Sequence, residues 1–395
     1  MNTILKILGL VLLAILVVIL LTQTNLLRAS GVTRSDELID LKELIEERHP
    51  AYVKVVKVQR LDVDDDGEDE WLVLYRFDPS RGPNWVGAPT LGLLYDAVSC
   101  EFPEFVTYTL PTPSNDYLAE GPVSVTLEDL KLERDPYSAS KELIIRGDGN
   151  RKLLAIYRFR DTVQNPCIAP REPREGLQLL GYFSSNLRIE RNGAQVVVWN
   201  RTIFERSQLA IRQVYLPSGG TYMDESGRLR NPAEQGVEFA FGLPESPADS
   251  PYPEKAVVAF YLYLGVDKEK AKDFLMPQLQ PQFPQGRFGL PLPVSQVGRA
   301  VVYSVSYTPD VVKERQREDR EVTVTVLATP TQGGKMGGPG PCTVRWRVSN
   351  YQQPVHPTQS PTETPTAEQK QRTVGDLEWR LAEILEVSGG PLCGK

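Results

Sequence analysis

Seven carboxylates crowd the nine residues from Asp62 to Glu70, in the stretch LDVDDDGEDEWLVLYRFD. Asp62, Asp64 and Asp66 alternate, Gly67 follows, and Glu70 closes the set. Alternating carboxylates ahead of a glycine turn suit a hard, oxygen-liganded cation, with calcium the expected cofactor and these four residues its metal ligands. The other reading is a solvated acidic turn at the head of a hairpin. Crowding like charges costs repulsion, which favours the cation.

Few other residues offer chemistry. The histidines are His49, at a helix end, and His356, in a Pro/Thr-rich stretch. Neither is placed for catalysis, and with no CxxC spacing among Cys100, Cys167, Cys342 and Cys393 a zinc site has little to draw on. The chain lacks GxSxG, P-loop, GxGxxG and HExxH motifs, the marks of triad hydrolases, NTPases, dinucleotide enzymes and zincins. Arg146-Gly147-Asp148 spells an integrin tripeptide, but the Asp-Gly turn of an internal repeat accounts for it. Asn200-Arg201-Thr202 is a sequon that matters only in a glycosylating host. A net charge of -7 with scattered Lys and Arg gives no nucleic-acid footprint.

The elements that must position these residues are mostly strands. DGEDEWLVLYRF from Asp66 and DGNRKLLAIYRF from Asp148 align without gaps at a spacing of 82 residues. The second copy has Ile144 and Arg146 where the first has Asp62 and Asp64, so whatever the first loop binds, the second has lost. From Tyr52 to about Tyr215 the pattern is period two or short apolar runs, with Asn192-Gly193 as a hairpin turn. Ahead of it, SDELIDLKELIEERH predicts one helix that Ser35 caps. A β-rich domain is expected over residues 35–245, and the linker ESPADSPYP places a boundary near Ser246 to Pro253.

Beyond the linker, Pro253 opens a helix with Ala256, Val257, Phe260, Tyr261 and Leu264 on one face, and DKEKAKDFLM makes a second. Four strand-like segments follow; in CTVRWRVSNY the apolar Val344, Trp346 and Val348 alternate with Thr343, Arg345 and Arg347. A Pro/Thr-biased loop, residues 352–372, separates the last two strands and is expected to be disordered. If those strands pair as a hairpin, the open end brings Cys342 to the exit of the last strand, where Gly389, Gly390 and Pro391 let the tail return. A Cys342–Cys393 disulfide is therefore expected, and by elimination Cys100 would face Cys167; free buried thiols are the alternative.

Ile7 to Leu21 is an uninterrupted apolar run preceded by Lys6. Residues 1–30 are read as an uncleaved transmembrane signal anchor in preference to a cleaved signal peptide, with the bulk of the chain extracytoplasmic and the cell membrane as its location.

Two resemblances add to this. The twelfth position of the loop, where an EF-hand would place its bidentate acid, is Val73, and Trp71, Val73, Tyr75 and Phe77 alternate like a strand. An acidic turn directly before a strand resembles the calcium loops of FG-GAP and VCBS repeats, which implies calcium ligation by Asp62, Asp64, Asp66 and Glu70. Residues 251–390, helices first and then strands, resemble the NTF2-like (cystatin-like) α+β fold, which implies a cone-shaped sheet wrapped around its helices. Some members of that family are isomerases or dehydratases using an Asp with a His or Tyr in the pocket. Here no such His is present and Tyr261, Tyr263 and Trp346 read as core.

The expectation is an α+β multidomain protein with a transmembrane helix, a β-rich domain and an NTF2-like cone. Its function is expected to be membrane-anchored binding or scaffolding in a bacterial cell envelope, without catalysis, with an unnamed protein or envelope partner. The alternative is an NTF2-like enzyme or small-ligand carrier that uses the cone's pocket.

Overall fold

The computed structural model describes residues 53–63, 65, 69–77, 90–98, 104–113, 117–119, 121–134, 138–160, 176–202, 208–249, 252–314, 317–331, 340–351, 378–390 and 392–394. Its elements follow the periodicities of the sequence. Where the apolar run is continuous, as over Trp71, Leu72, Val73 and Leu74, the strand is buried on both faces. Where apolar and polar residues alternate, Cys342, Val344, Trp346 and Val348 are buried and Thr343, Arg345 and Arg347 take the other face.

The described residues divide into two compact units, one running to Tyr182 with Gly219–Arg228, the other comprising Phe183–Ser218 and the chain from Leu229. The first unit begins with a sheet of β1 (Val53–Leu61), β2 (Glu70–Phe77), β3 (Thr90–Val98) and β4 (Glu104–Thr109), neighbours in chain order. A second sheet repeats that order with β5 (Val123–Glu128), β6 (Ser138–Asp148), β7 (Lys152–Arg160) and β8 (Gly176–Ser185). Leu72, Leu74 and Leu94 share one core cluster with Leu143, Ile145, Leu153, Ala155 and Tyr157, so two sheets bury their apolar faces together. At about 25 cal/mol for each Å² of apolar surface, this burial is the main stabilising term of the unit.

The second unit contains a sheet of β9 (Arg188–Asn192), β10 (Gln195–Arg201), β11 (Leu209–Tyr215) and β12 (Glu234–Phe239), again ordered as a meander. The β9–β10 turn falls one residue later than a turn centred on Asn192-Gly193 would place it. Asn192 still pairs with Gln195, so the two loop residues are Gly193 and Ala194. Gly193 has φ of 55°, the left-handed value demanded of the first loop position when the turn must match strand twist.

Helix α1 (Pro253–Tyr263) opens with proline at its first turn, and the Asp267 side chain caps α2 (Lys268–Asp273) by accepting from the backbone N–H groups of Glu269 and Lys270. The last sheet is β13 (Val297–Glu314), β14 (Arg317–Pro330), β15 (Cys342–Tyr351) and β16 (Glu378–Gly389), all antiparallel neighbours in chain order. Val322, Val324, Trp346 and Leu381 pack with Phe260 and Tyr261 of α1, and Leu209, Val237 and Phe239 of β11 and β12 belong to the same cluster. Residues 183–218, read from the sequence as part of the first domain, thus fall in the second unit.

The clasp on the last hairpin forms as expected. Asn350 pairs with Trp379 at one end and Cys342 with Gly389 at the other. Cys342 and Cys393 are disulfide-bonded with a Cα separation of 5.7 Å. Gly389 makes the return possible, since with φ of 123° a Cβ there would fall 2.7 Å from the Pro341 carbonyl oxygen. The expected Cys100–Cys167 pair, the helix after Ser35 and the loop 352–372 lie outside the described residues.

Two expectations are corrected. The α+β architecture with an NTF2-like cone gives way to a mostly β protein: four antiparallel sheets and, among the described residues, two α-helices. The physical reason lies in α1, which is buried on nearly every side; it fills a core that strands build, and it does not form a helical layer. The transmembrane anchor is not supported either, and with it fall the membrane partner, the cell-membrane location and the extracytoplasmic placement. No helix among the described residues is long and apolar enough to cross a membrane, and the apolar run of residues 7–21 lies outside them.

Candidate functional site

The acidic loop joins β1 to β2, and its stem closes where Leu61 pairs with Glu70. Val63 anchors it, with 1% of its surface exposed in the core of the first unit. The Glu70 carboxylate is buried beside it and accepts the Val63 N–H through Oε2 at 2.5 Å, so this acid closes the turn from inside. Asp62 Oδ1 is buried from solvent and has no hydrogen-bond partner among the described residues. Such an oxygen is costly to leave unmatched.

The odd-numbered acids point elsewhere. Asp65, at φ of 65°, accepts the Ser140 N–H and lies 3.6 Å from the Lys141 ammonium, both on β6. Partial burial pushes its carboxyl up, but the bonds from Ser140 and the charge of Lys141 outweigh that and hold it below the ordinary aspartate value. Asp69 pairs with Arg60 at 3.5 Å, and the Arg60 guanidinium lies 4.5 Å over the Trp71 ring. Of the four expected ligands, Asp62 and Glu70 therefore stand at the two ends of one loop, while Asp64 and Asp66 lie outside the described residues. Among the described residues no three His, Cys, Asp or Glu side chains form a metal-holding group.

In the interior of the second unit aromatic side chains pack against one another. The Tyr261 hydroxyl donates to the Phe288 carbonyl at 2.8 Å and accepts from Trp346 Nε1 at 2.9 Å. Phe260 meets Tyr261, Phe288 and Trp346 edge-on, with ring centroids 5.0, 5.7 and 6.0 Å away. Burial drives the Tyr261 phenol far above its ordinary range, which keeps it neutral and unsuited to general-base work. Tyr263, also expected as core, is buried and donates to the Pro244 carbonyl at 2.9 Å.

The sequence did not announce the buried ion pair of the first unit. Glu142 on β6 accepts from Arg158 on β7 at 2.6 and 3.0 Å, and both side chains are almost wholly enclosed. The pair also gathers the 130–134 segment: Leu130 N–H donates to Glu142 and Arg158 Nη1 to the Glu133 carbonyl. The only signal for it was the Arg repeated in Tyr-Arg-Phe, which has no partner within its own strand. The Arg146-Gly147-Asp148 tripeptide is spent on structure, since Arg146 and Asp148 pair with each other at 3.2 Å and a Cβ on Gly147 would sit 2.5 Å from that of Ala119. Compared with known proteins, the chain matches no family model, no curated protein and no solved structure.

Proposed function

We propose that this protein works by binding or scaffolding rather than by catalysis, and that its β1–β2 loop takes a calcium ion on Asp62, Asp64, Asp66 and Glu70. The observation behind the first part is the interior of the second unit. Tyr261 and Trp346, the groups best suited to act on a small molecule there, are bonded to each other and to the chain. The calcium reading rests on the alternating acids and on Asp62 Oδ1, an oxygen that a cation would satisfy. The loop's position directly before strand β2 supports its likeness to FG-GAP and VCBS loops.

Calorimetric titration of the full chain with calcium chloride, beside melts with calcium or chelator, tests the second part. Binding heat and a raised melting temperature are expected, both lost in Asp64→Asn with Asp66→Asn. Identical melts in the two buffers would reduce the loop to an acidic turn. For the first part, melts against a panel of small metabolites should show no stabilisation, whereas chemical crosslinking in a native lysate should yield one macromolecular partner. A small molecule that stabilises the second unit and is turned over would overturn it.

A further inference from the structure

Asn192 is the one asparagine in the chain that precedes a glycine. It ends β9, an edge strand held to its sheet through β10 alone, and both it and Gly193 are exposed. Beyond its chain neighbours, no atom lies within 4 Å of where a Gly193 Cβ would stand, so the turn is open to solvent on that side. Arg191 Nη1 bonds the Gly193 carbonyl at 3.1 Å, which keeps a positive charge at the turn, where it favours an amide anion.

We infer that Asn192 is a site of spontaneous chemical modification. The Gly193 backbone N–H loses its proton to a base in solvent, and the nitrogen attacks Cγ of Asn192. The new N–C bond closes a succinimide ring while the Cγ–N bond to the side-chain amide breaks, and that nitrogen leaves as ammonia with a proton from water. Water then opens the ring to aspartate or isoaspartate, so no oxidant or reductant is needed. The extended backbone of β9 opposes the attack, which proceeds when the exposed turn end of this edge strand opens locally.

The isoaspartate product threads the side-chain methylene into the main chain and lengthens β9 at its pairing with Gln195. Two residues of that strand cover Trp199: the Arg188 guanidinium, 4.3 Å from the ring, and Glu190, whose Oε2 accepts from the indole N–H at 3.2 Å. Trp199, now 7% exposed, would lose that cover. The test is prolonged incubation of the intact chain in mildly alkaline buffer, followed by peptide mapping with fragmentation that distinguishes isoaspartate, and by amide hydrogen exchange. Residue 192 should convert ahead of every other asparagine, with exchange across Arg188–Asn192 rising in step. Asn192→Gln, whose longer side chain closes the ring poorly, should show neither change. Conversion confined to other asparagines, or at 192 only after unfolding in denaturant, would overturn the site; conversion with unchanged exchange in β9 would overturn the uncovering of Trp199.

Discussion

Hairpins β1–β2 and β6–β7 carry the two copies of the twelve-residue repeat, identical at six positions, and distribute their charge in opposite ways. In the first, the acids crowd the connecting loop, residues 62–69, and β2 beyond it is apolar on both faces over Trp71, Leu72, Val73 and Leu74. In the second the loop has shrunk to residues 149–151, and the charge has moved into the sheet as Glu142 and Arg158. Arg76 and Arg158 occupy the same repeat position, and each reaches the carbonyl of a neighbouring segment, Gly121 for one and Glu133 for the other. Among the described residues, only Arg158 meets a carboxylate on the way. A repeated arginine therefore serves as a surface tie in one copy and as a buried, charge-paired tie in the other, according to what the adjacent strand supplies.

The largest effect should come from breaking that difference. Arg158→Ala strands the Glu142 carboxylate in the core and should cost about 3–5 kcal/mol in denaturant unfolding, whereas replacing both partners by apolar residues of similar volume should be close to neutral. Arg76→Ala should cost only about 1 kcal/mol, because its site is half-buried and its lost partners are neutral oxygens. Equal costs at the two positions would remove the distinction between the copies.

Calcium should act on the first copy alone. Saturation at a hundredfold excess over the dissociation constant should add about 2.7 kcal/mol, lost with Asp64→Asn and Asp66→Asn and retained in Asp148→Asn. Loss of the increment in Asp148→Asn would place the ion elsewhere.

Gly147 stands at the repeat position of Asp65, and its missing Cβ leaves room for Ala119. Gly147→Ala should cost about 1–3 kcal/mol by overpacking, measured by thermal melts. A neutral result would show that the β6–β7 copy yields more readily than its packing implies.

The smallest effect is the pH dependence of Asp65. Its carboxyl is held below the ordinary value in the folded chain, so the stability it contributes is present above the unfolded value and fades as pH falls through the folded one. Asp65→Asn should flatten the acid limb of the stability curve slightly. An unchanged limb would mean that the contacts with Ser140 and Lys141 do not hold the loop.

Several features could be read from the residues because they are local. The alternation in CTVRWRVSNY fixed which side chains face inward, Pro253 marked the start of α1, and the spacing of the last two strands brought Cys342 to Cys393. The turn that carries the candidate acids was equally legible as a connection between two strands, since Leu61 and Glu70 pair across it.

What only the tertiary structure decided lies where the pattern is silent. Leu72 and Leu74 of the first repeat enter the core shared by the two sheets of the first unit, but in the second repeat the entering residues are Leu153, Ala155 and Tyr157, which correspond to Trp71, Val73 and Tyr75. An apolar run buried on both faces carries no signal for which face meets which sheet, because shifting it by one residue exchanges two equally apolar sides. The partner of Arg158 lies on another strand, and β11 and β12 join the core of α1 across a stretch that reads as a linker. The sequence determines period, turns and the reach of its cysteines; the choice among equivalent apolar faces is made by the shape of the surface each one must fill.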